Sequence, residues 1–331
     1  MQRMSERSVE SAYAAAREAA LIVRHPAPDL VIARGKDRLD LLQRMSTNDV
    51  AGMETGSFRT TVLTNPIGRI VEAVGVLSLA DEAWLLTSPG QAAAVQAWLG
   101  RYIFFQDDVQ LAQGGEGWSE WGVYGPGSEE ALADLSPRLV RPGANGAPLF
   151  KGGYVWRVTS PAGGGFRLLL NPDETEEASL ACSGRGGEAT DSAAYQILRI
   201  EAGLPEPVSE IRQEYIPLEV GLREVISFSK GCYIGQEIIA RMDSRGRQAK
   251  TLVGVRLTQE AHPGDGVRQD NRNVGSLTSV AQSPRLGWIA LAIVRPVVLD
   301  EGPGHVRVGE SGTEGEVVRL PFAPVSMAAG S

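Results

Sequence analysis

Cysteine is nearly absent from this chain of 331 residues, which has two: Cys182 in "LACSGRGG" and Cys232 in "KGCYIGQE". They form no CxxC pair and no Cys/His cluster of the kind that holds zinc, and two thiols are too few for a four-cysteine iron-sulfur cluster within one chain. No metal ligand set is expected. One disulfide stays open, but such sparse usage suits a reducing compartment. Long apolar runs are lacking too. The longest clean one, Trp288 to Val294, is far short of a membrane span, and the N-terminal stretch carries Glu6, Arg7, Glu10, Arg17 and Glu18 where a signal peptide would be apolar. A surface helix is expected there, in a soluble, cytoplasmic protein with no membrane partner. Positive charge is in deficit, 32 Lys and Arg against 40 Asp and Glu, for a net charge of −8. That balance excludes general affinity for nucleic acid, so an anionic ligand needs a local basic site.

What is present suits a globular protein long enough for two or three domains: 43% hydrophobic and 22% charged residues, with 39 glycines. "GKDRLDLLQRMSTNDV" spaces Leu39, Leu42 and Met45 for a helix with Asp37 at its start, ending near Thr47-Asn48. "FRTTVLTNPIGRIVEAVGVLSLADEAWLLTS" alternates like a three-stranded antiparallel meander, turning at Asn65-Pro66-Ile67-Gly68. Helices are expected in "SPGQAAAVQAWLGRYIF" and after Ser128, and extended runs near 141–155 and 168–171. Hairpins alternating with helices predict an α+β protein, not a doubly wound parallel sheet. After Lys250 the chain turns to short strand-like segments separated by Gly, Pro, Asn and Asp, which predicts a small C-terminal β-barrel over 251–331 beside an α+β region over 1–250.

Two stretches carry chemistry. In "DSAAYQILRIEAGLPE", with Asp191 as N-cap, Ala193, Ala194, Ile197 and Ile200 form an apolar stripe and Glu201 falls at its margin. A carboxylate there needs donors; a planar aminopyrimidine edge would offer two, while a neighbouring Arg would serve equally well. In "KGCYIGQE", Cys232 precedes a helix expected over 235–241, whose free N–H groups, with Lys230, would favour a thiolate. Between Lys230 and Lys250, five cations (Lys230, Arg241, Arg245, Arg247, Lys250) face two acids, which reverses the overall charge and suits a carboxylate or phosphate. Cys232 packing as a small hydrophobe under a solvated basic face stays an equal alternative.

The run from "RIEAGLPEPVSE" through "KGCYIGQEIIARMDSRGR" closely resembles the signature region of the YgfZ/GcvT folate-binding family, with "KGCYIGQE" similar to the motif of its YgfZ branch. "LLQRMSTNDV", "TNPIGRIVEAVGVL", "WGVYGPG" and "VGSLTSVAQSPRLGWIALAIV" resemble family segments in the same order, so the likeness spans about residues 28 to 323. The resemblance implies three subdomains round a funnel that holds tetrahydrofolate or a one-carbon derivative. It also implies a part in assembling or repairing iron-sulfur enzymes, tRNA-modifying ones included; a monomer is expected, although the sequence itself does not give the oligomeric state. By position, Glu201 corresponds to the glutamate that grips the pterin in aminomethyltransferases, and Cys232, with Lys230 and Tyr233, to the catalytic motif of the YgfZ branch. Lys230, Arg241, Arg69 and Tyr124 are further folate-binding candidates, although Arg69 could merely snorkel and Tyr124 merely pack beneath a strand end. The family's aminomethyltransferases carry paired aspartates where this chain has Glu72-Ala73, and Ala73 cannot orient a folate nitrogen. Aminomethyl transfer is therefore the weaker expectation, a scaffold without chemistry the third, and Glu72 is expected as an exposed strand acid.

Overall fold

The computed structural model describes residues 2–135, 147–148, 153–159, 161–172, 193–246, 248–299 and 304–322. Cys182, Asp191 and Arg247 lie outside these described residues. The order is α1 (Gln2–Glu18), β1 (Leu21–Arg24), β2 (Asp29–Arg34), α2 (Arg38–Met45), β3 (Phe58–Thr64), β4 (Ile70–Ser78), β5 (Glu82–Thr87), α3 (Ala92–Gly100), β6 (Gln110–Gly114), β7 (Ser119–Tyr124) and α4 (Ser128–Leu135). There follow β8 (Ala147–Pro148), β9 (Tyr154–Arg157), β10 (Gly165–Leu170), α5 (Ala193–Ala202), α6 (Gln236–Arg245) and the strands β11 (Thr251–Leu257), β12 (Gly266–Gln269), β13 (Arg272–Ser283), β14 (Gly287–Val294), β15 (Gly304–Val308) and β16 (Thr313–Val318).

Every strand pairing that builds the sheets is antiparallel. One sheet runs β3-β4-β5-β2-β6 and a second β1-β7-β10-β9-β8, so consecutive strands β1 and β2 belong to different sheets and the two interleave along the chain. The expected meander is β3 to β5, and its turn closes through the Gly68 amide on the Asn65 carbonyl at 2.8 Å. The sheets meet across Leu30, Leu77, Leu86, Trp156 and Leu169, where Phe58 stacks on Trp156 with centroids 4.1 Å apart. The other face of the first sheet packs on α2 and α3 through Val31, Leu41, Leu42, Met45, Val76, Leu85 and Leu99. These alternating strands and 3.6-period helices are what the residue pattern dictates.

The last six strands close into a barrel, β11-β14-β13-β12-β15-β16, filled by Val253, Val255, Val267, Leu277, Ala290, Ala292, Val306 and Val317. Small and β-branched residues suit so narrow an interior. The barrel's outer surface takes up α5, with Ile200 against Ile289, Leu291 and Phe322. No helix of the described residues is long and apolar enough to cross a membrane.

Two local expectations are corrected. The N-terminal helix forms, but Ala12, Tyr13 and Ala16 are buried against β1, Tyr124 and α5, so it is part of the core as well as of the surface. Helix α2 stops at Met45, before Thr47, because Ser46 turns extended (φ −135°, ψ 164°) and bridges to Leu63 of β3. Asp37 does stand at the start of α2 as its N-cap residue, though without a side-chain cap; its carboxylate accepts the Asp108 amide at 2.9 Å.

Candidate functional site

Glu201 lies on the last turn of α5 and is 4% exposed, deeper than the margin its spacing suggested. Helix α5 is clamped between α1 and the barrel, and both supply partners. The Tyr13 hydroxyl donates to Oε1 at 2.8 Å and the Ser283 hydroxyl to the same oxygen at 2.5 Å. Oε2 has only guanidinium contacts at the edge of range, Arg285 Nη2 at 3.5 Å and Arg17 Nη1 at 3.8 Å, from side chains about 40% exposed. Two hydroxyls saturate Oε1. A bidentate grip on both oxygens is therefore closed, which corrects the aminopyrimidine picture; the boundary-Arg alternative is partly realised. Among the described residues Oε2 receives no hydroxyl, only the two long guanidinium contacts. Two residues earlier, Arg199 pairs with the fully buried Glu210 at 3.2 Å and donates to Ser279 at 2.7 Å, fixing α5 to β13 a second time.

The Cys232 stretch is built differently. Residues 227 to 235 run as a strap across the C-terminal end of α2: the Ser227 amide donates to the Thr47 carbonyl at 2.9 Å and the Ile234 amide to the Arg44 carbonyl at 3.0 Å. Between these ties Cys232 is an exposed free thiol. Among the described residues no hydrogen bond reaches its sulfur. The strap enters α6 through Gly235, whose φ of +83° and tight approach to the β3–β4 turn, 2.6 Å from an imagined Cβ to the Asn65 carbonyl oxygen, require glycine. Gly68 answers it from the turn, with φ +73° and Gly235 and Ile238 against it.

Lys230, expected beside the thiol and on the ligand, faces the other way. Its Nζ donates to the carbonyls of Gln43 (2.8 Å), Ser46 (2.8 Å) and Asn48 (2.6 Å), so all three N–H bonds are engaged at the end of α2. Burial pushes its pKa down to about 8, against the pull of Asp49. Tyr233 is buried with Leu218, Ile226 and Ile239, its ring centroid 5.2 Å from the Lys230 ammonium; burial pushes its pKa up to about 12. Both residues hold the strap and neither is placed to do chemistry.

The remaining candidates divide. Tyr124 is 1% exposed, its hydroxyl joining His25 Nε2 at 2.7 Å and accepting from Arg167 Nε at 3.2 Å, so its packing alternative holds and it is closed to a ligand. Arg69 is exposed but bonded to the Glu214 carbonyl. Arg241 is exposed on α6 and, among the described residues, makes no ion pair or side-chain hydrogen bond. Glu72 is half-buried, accepting from the Ser88 hydroxyl at 2.6 Å, and burial raises its pKa against that hydrogen bond, which corrects the exposed-acid expectation. It stands opposite Leu63, whereas Ala73 stands opposite Val62, and Ala73 packs into a cluster with Ile70, Tyr215 and Val220. Glu72 thus projects from the opposite face and cannot stand in for an acid at Ala73.

Sequence reasoning missed a third polar group: His25, Tyr124, Tyr195, Arg167 and Glu120, joined by Arg167 donating to Glu120 at 2.7 Å and by the Tyr124–Tyr195 stack at 5.1 Å. Burial, then the Arg167 charge, pushes His25 down to about 2, so the ring is neutral where it shares a hydrogen bond with the Tyr124 hydroxyl. One histidine 99 positions from its tyrosine partner gave no spacing signal for this network. No hydrogen bond or ion pair on these residues links the Glu201 group to the strap.

The described residues contain no group of three His, Cys, Asp or Glu side chains able to hold a metal. The GCVT N-terminal domain family matches residues 2–143, and the glycine cleavage T-protein C-terminal barrel domain family matches residues 250–323. The chain is 28% identical over 298 residues to a chloroplastic protein of Arabidopsis thaliana named as a transferase, covering 87% of this chain and 68% of that one. It is 28% identical over 308 residues to the aminomethyltransferase of Thermus thermophilus, covering 89% and 84%. The crystal structure of the glycine cleavage system aminomethyltransferase T from Bartonella henselae superposes with a TM-score of 0.82 at 20% identity, over 95% of this chain and 89% of that one.

Proposed function

We propose, from the premise that this chain belongs to the GcvT-like folate-binding family, whose N-terminal domain and C-terminal barrel it carries in order, that it binds tetrahydrofolate or a one-carbon derivative and uses Cys232 in a folate-dependent step that assists assembly or repair of iron-sulfur enzymes. The observation that carries the reading is the exposed thiol on a strap tied down on both sides of it. A cysteine that served only packing would be buried; here the neighbours are fixed and the sulfur is exposed.

Tetrahydrofolate, when bound, supplies secondary nitrogens that accept or hold a one-carbon unit. Glu201 fits such a ligand through Oε2, the one carboxylate position held by long, half-exposed arginine contacts. Arg241 remains available to an anionic tail. Lys230, Tyr124 and Tyr233 are left out of the ligand set because their polar atoms or rings are engaged inside the fold. The iron-sulfur part rests on the "KGCYIGQE" resemblance together with the exposure of Cys232.

Aminomethyl transfer, the activity named for several relatives, is the second reading, favoured by their coverage of this chain. Against it stands Ala73, half-buried against Val62, Ile70 and Tyr215, with no carboxylate of β4 on its side of the strand. Two experiments separate the readings. Purified protein is assayed for methylenetetrahydrofolate formation from an aminomethyl donor, and a deletion strain is complemented with wild type and Cys232→Ser while iron-sulfur enzyme activities, tRNA modification included, are followed. Rescue by wild type but not by Cys232→Ser, without aminomethyl turnover, is the expected result. Full rescue by the serine variant would remove the thiol from the function.

A further inference from the structure

Lys230 is the feature of the motif that the proposed chemistry leaves unexplained. A lysine ammonium is among the more expensive groups to bury, yet this one is 9% exposed and directed into the end of a short helix. The last carbonyls of an α-helix have no intrahelical partner, and they form the negative end of its dipole. At the end of α2, Lys230 collects the carbonyls of Gln43, Ser46 and Asn48, which come from the last turn and from the turn beyond it. The serine and glycine residues around it, "SFSKGC", could not hold the segment by packing, and Gly231 has open space where a Cβ would be.

We propose that Lys230 is a positioning residue for Cys232: by capping α2 it pins the centre of the strap, so that the thiol two residues on is held outward at a fixed place. The inference rests on the proposed use of Cys232, but its geometry does not. Three ties act in series, Ser227 on Thr47, Lys230 on the α2 carbonyls and Ile234 on Arg44, and Cys232 stands in the short span between the last two. Tyr233 adds an apolar peg beneath, against Leu218 and Ile239. Of the three ties only that of Lys230 is made by a side chain; the Thr64 hydroxyl adds a side-chain tie at the strap's end, on the Ile234 carbonyl at 2.7 Å, so Lys230 is the side chain whose removal frees the centre of the strap.

The test compares full-length wild type, Lys230→Met and Lys230→Arg. Lys230→Met keeps the apolar stem and deletes the ammonium; Lys230→Arg restores charge and donors. Hydrogen exchange of the Ser227 and Ile234 amides is expected to quicken at least about tenfold in the methionine variant, the scale set by losing a charged hydrogen bond, while barrel amides keep their rates. Alkylation of Cys232 by iodoacetamide near neutral pH is expected to change with it, and the arginine variant is expected to recover both readouts in large part. Unchanged strap exchange and unchanged alkylation in Lys230→Met would overturn the proposal, as would exchange that quickens equally throughout the molecule. Because neither readout uses folate or a client enzyme, a failed complementation by wild type would sink the proposed function and leave this result standing, and the reverse holds too.

Discussion

Glu201 and Cys232 stand in the two stretches that most resemble the folate-binding family, and the fold treats them in opposite ways. Around Glu201 the functional group is enclosed: a buried carboxylate, two hydroxyls on one oxygen, two arginines near the other, drawn from α1, α5 and β13. Around Cys232 the functional group is open and everything beside it is fixed, by backbone ties at Ser227 and Ile234 and by an ammonium under the strap. The difference teaches that one region keeps its carboxylate against the body of the protein, while the other turns its thiol away from it. It follows that stability and function should respond to substitution in opposite proportion at the two places.

The widest separation is expected from Glu201→Ala. It strands two hydroxyl donors and leaves two guanidiniums without their counter-charge, so denaturant unfolding should show a loss of about 3 kcal/mol. A loss under about 0.5 kcal/mol would mean that the enclosed network contributes little and the comparison fails.

Acid should act on the same enclosed side, through His25. Its pKa is about 2 folded against 6.5 unfolded, so the unfolded state takes up the proton first as pH falls. The stabilising share of the neutral ring is complete above the unfolded value and is lost between 6.5 and about 2. At about pH 4.5, two units below the unfolded value, the loss from this group is about 3 kcal/mol, and His25→Gln should flatten that part of the stability profile. Equal acid slopes in the two proteins would contradict it.

On the strap side, Gly235→Ala meets the Asn65 carbonyl oxygen and a left-handed backbone together, and should cost about 1.5 kcal/mol. A thermal scan beside Gly231→Ala, where the space is open, isolates the contact. The smallest structural effect is expected for Cys232→Ser, within about 0.5 kcal/mol of wild type because the residue is exposed, while complementation is lost. A serine variant that unfolds early would make Cys232 a packing residue after all.

How much of this was legible beforehand depends on the range of the interaction. The β3–β5 meander, its Asn65–Gly68 turn and the valine-rich barrel strands were open to reading because alternation and turn chemistry are local. The helix carrying Glu201 was equally visible, but not that Tyr13, 188 positions away, would donate to it. Lys230 shows the limit most clearly. Its charge beside a cysteine suggested thiolate stabilisation, yet its partners Gln43, Ser46 and Asn48 are more than 180 residues distant, and only the tertiary fold brings the end of α2 beneath it. Ala73 was informative in sequence because a missing carboxylate needs no neighbour to be missing. That Glu72 could not replace it required the register of β4 on β3.

The central claim is that a reduced folate is held on the enclosed side, at Glu201, by a protein whose reactive group sits elsewhere. Calorimetric titration of tetrahydrofolate into wild type, Glu201→Gln and Cys232→Ser tests it most directly. Saturable binding to wild type, unchanged by the serine substitution and weakened at least about tenfold by the glutamine one, is the predicted result. Absence of binding to wild type, or equal affinity in the glutamine variant, would contradict it.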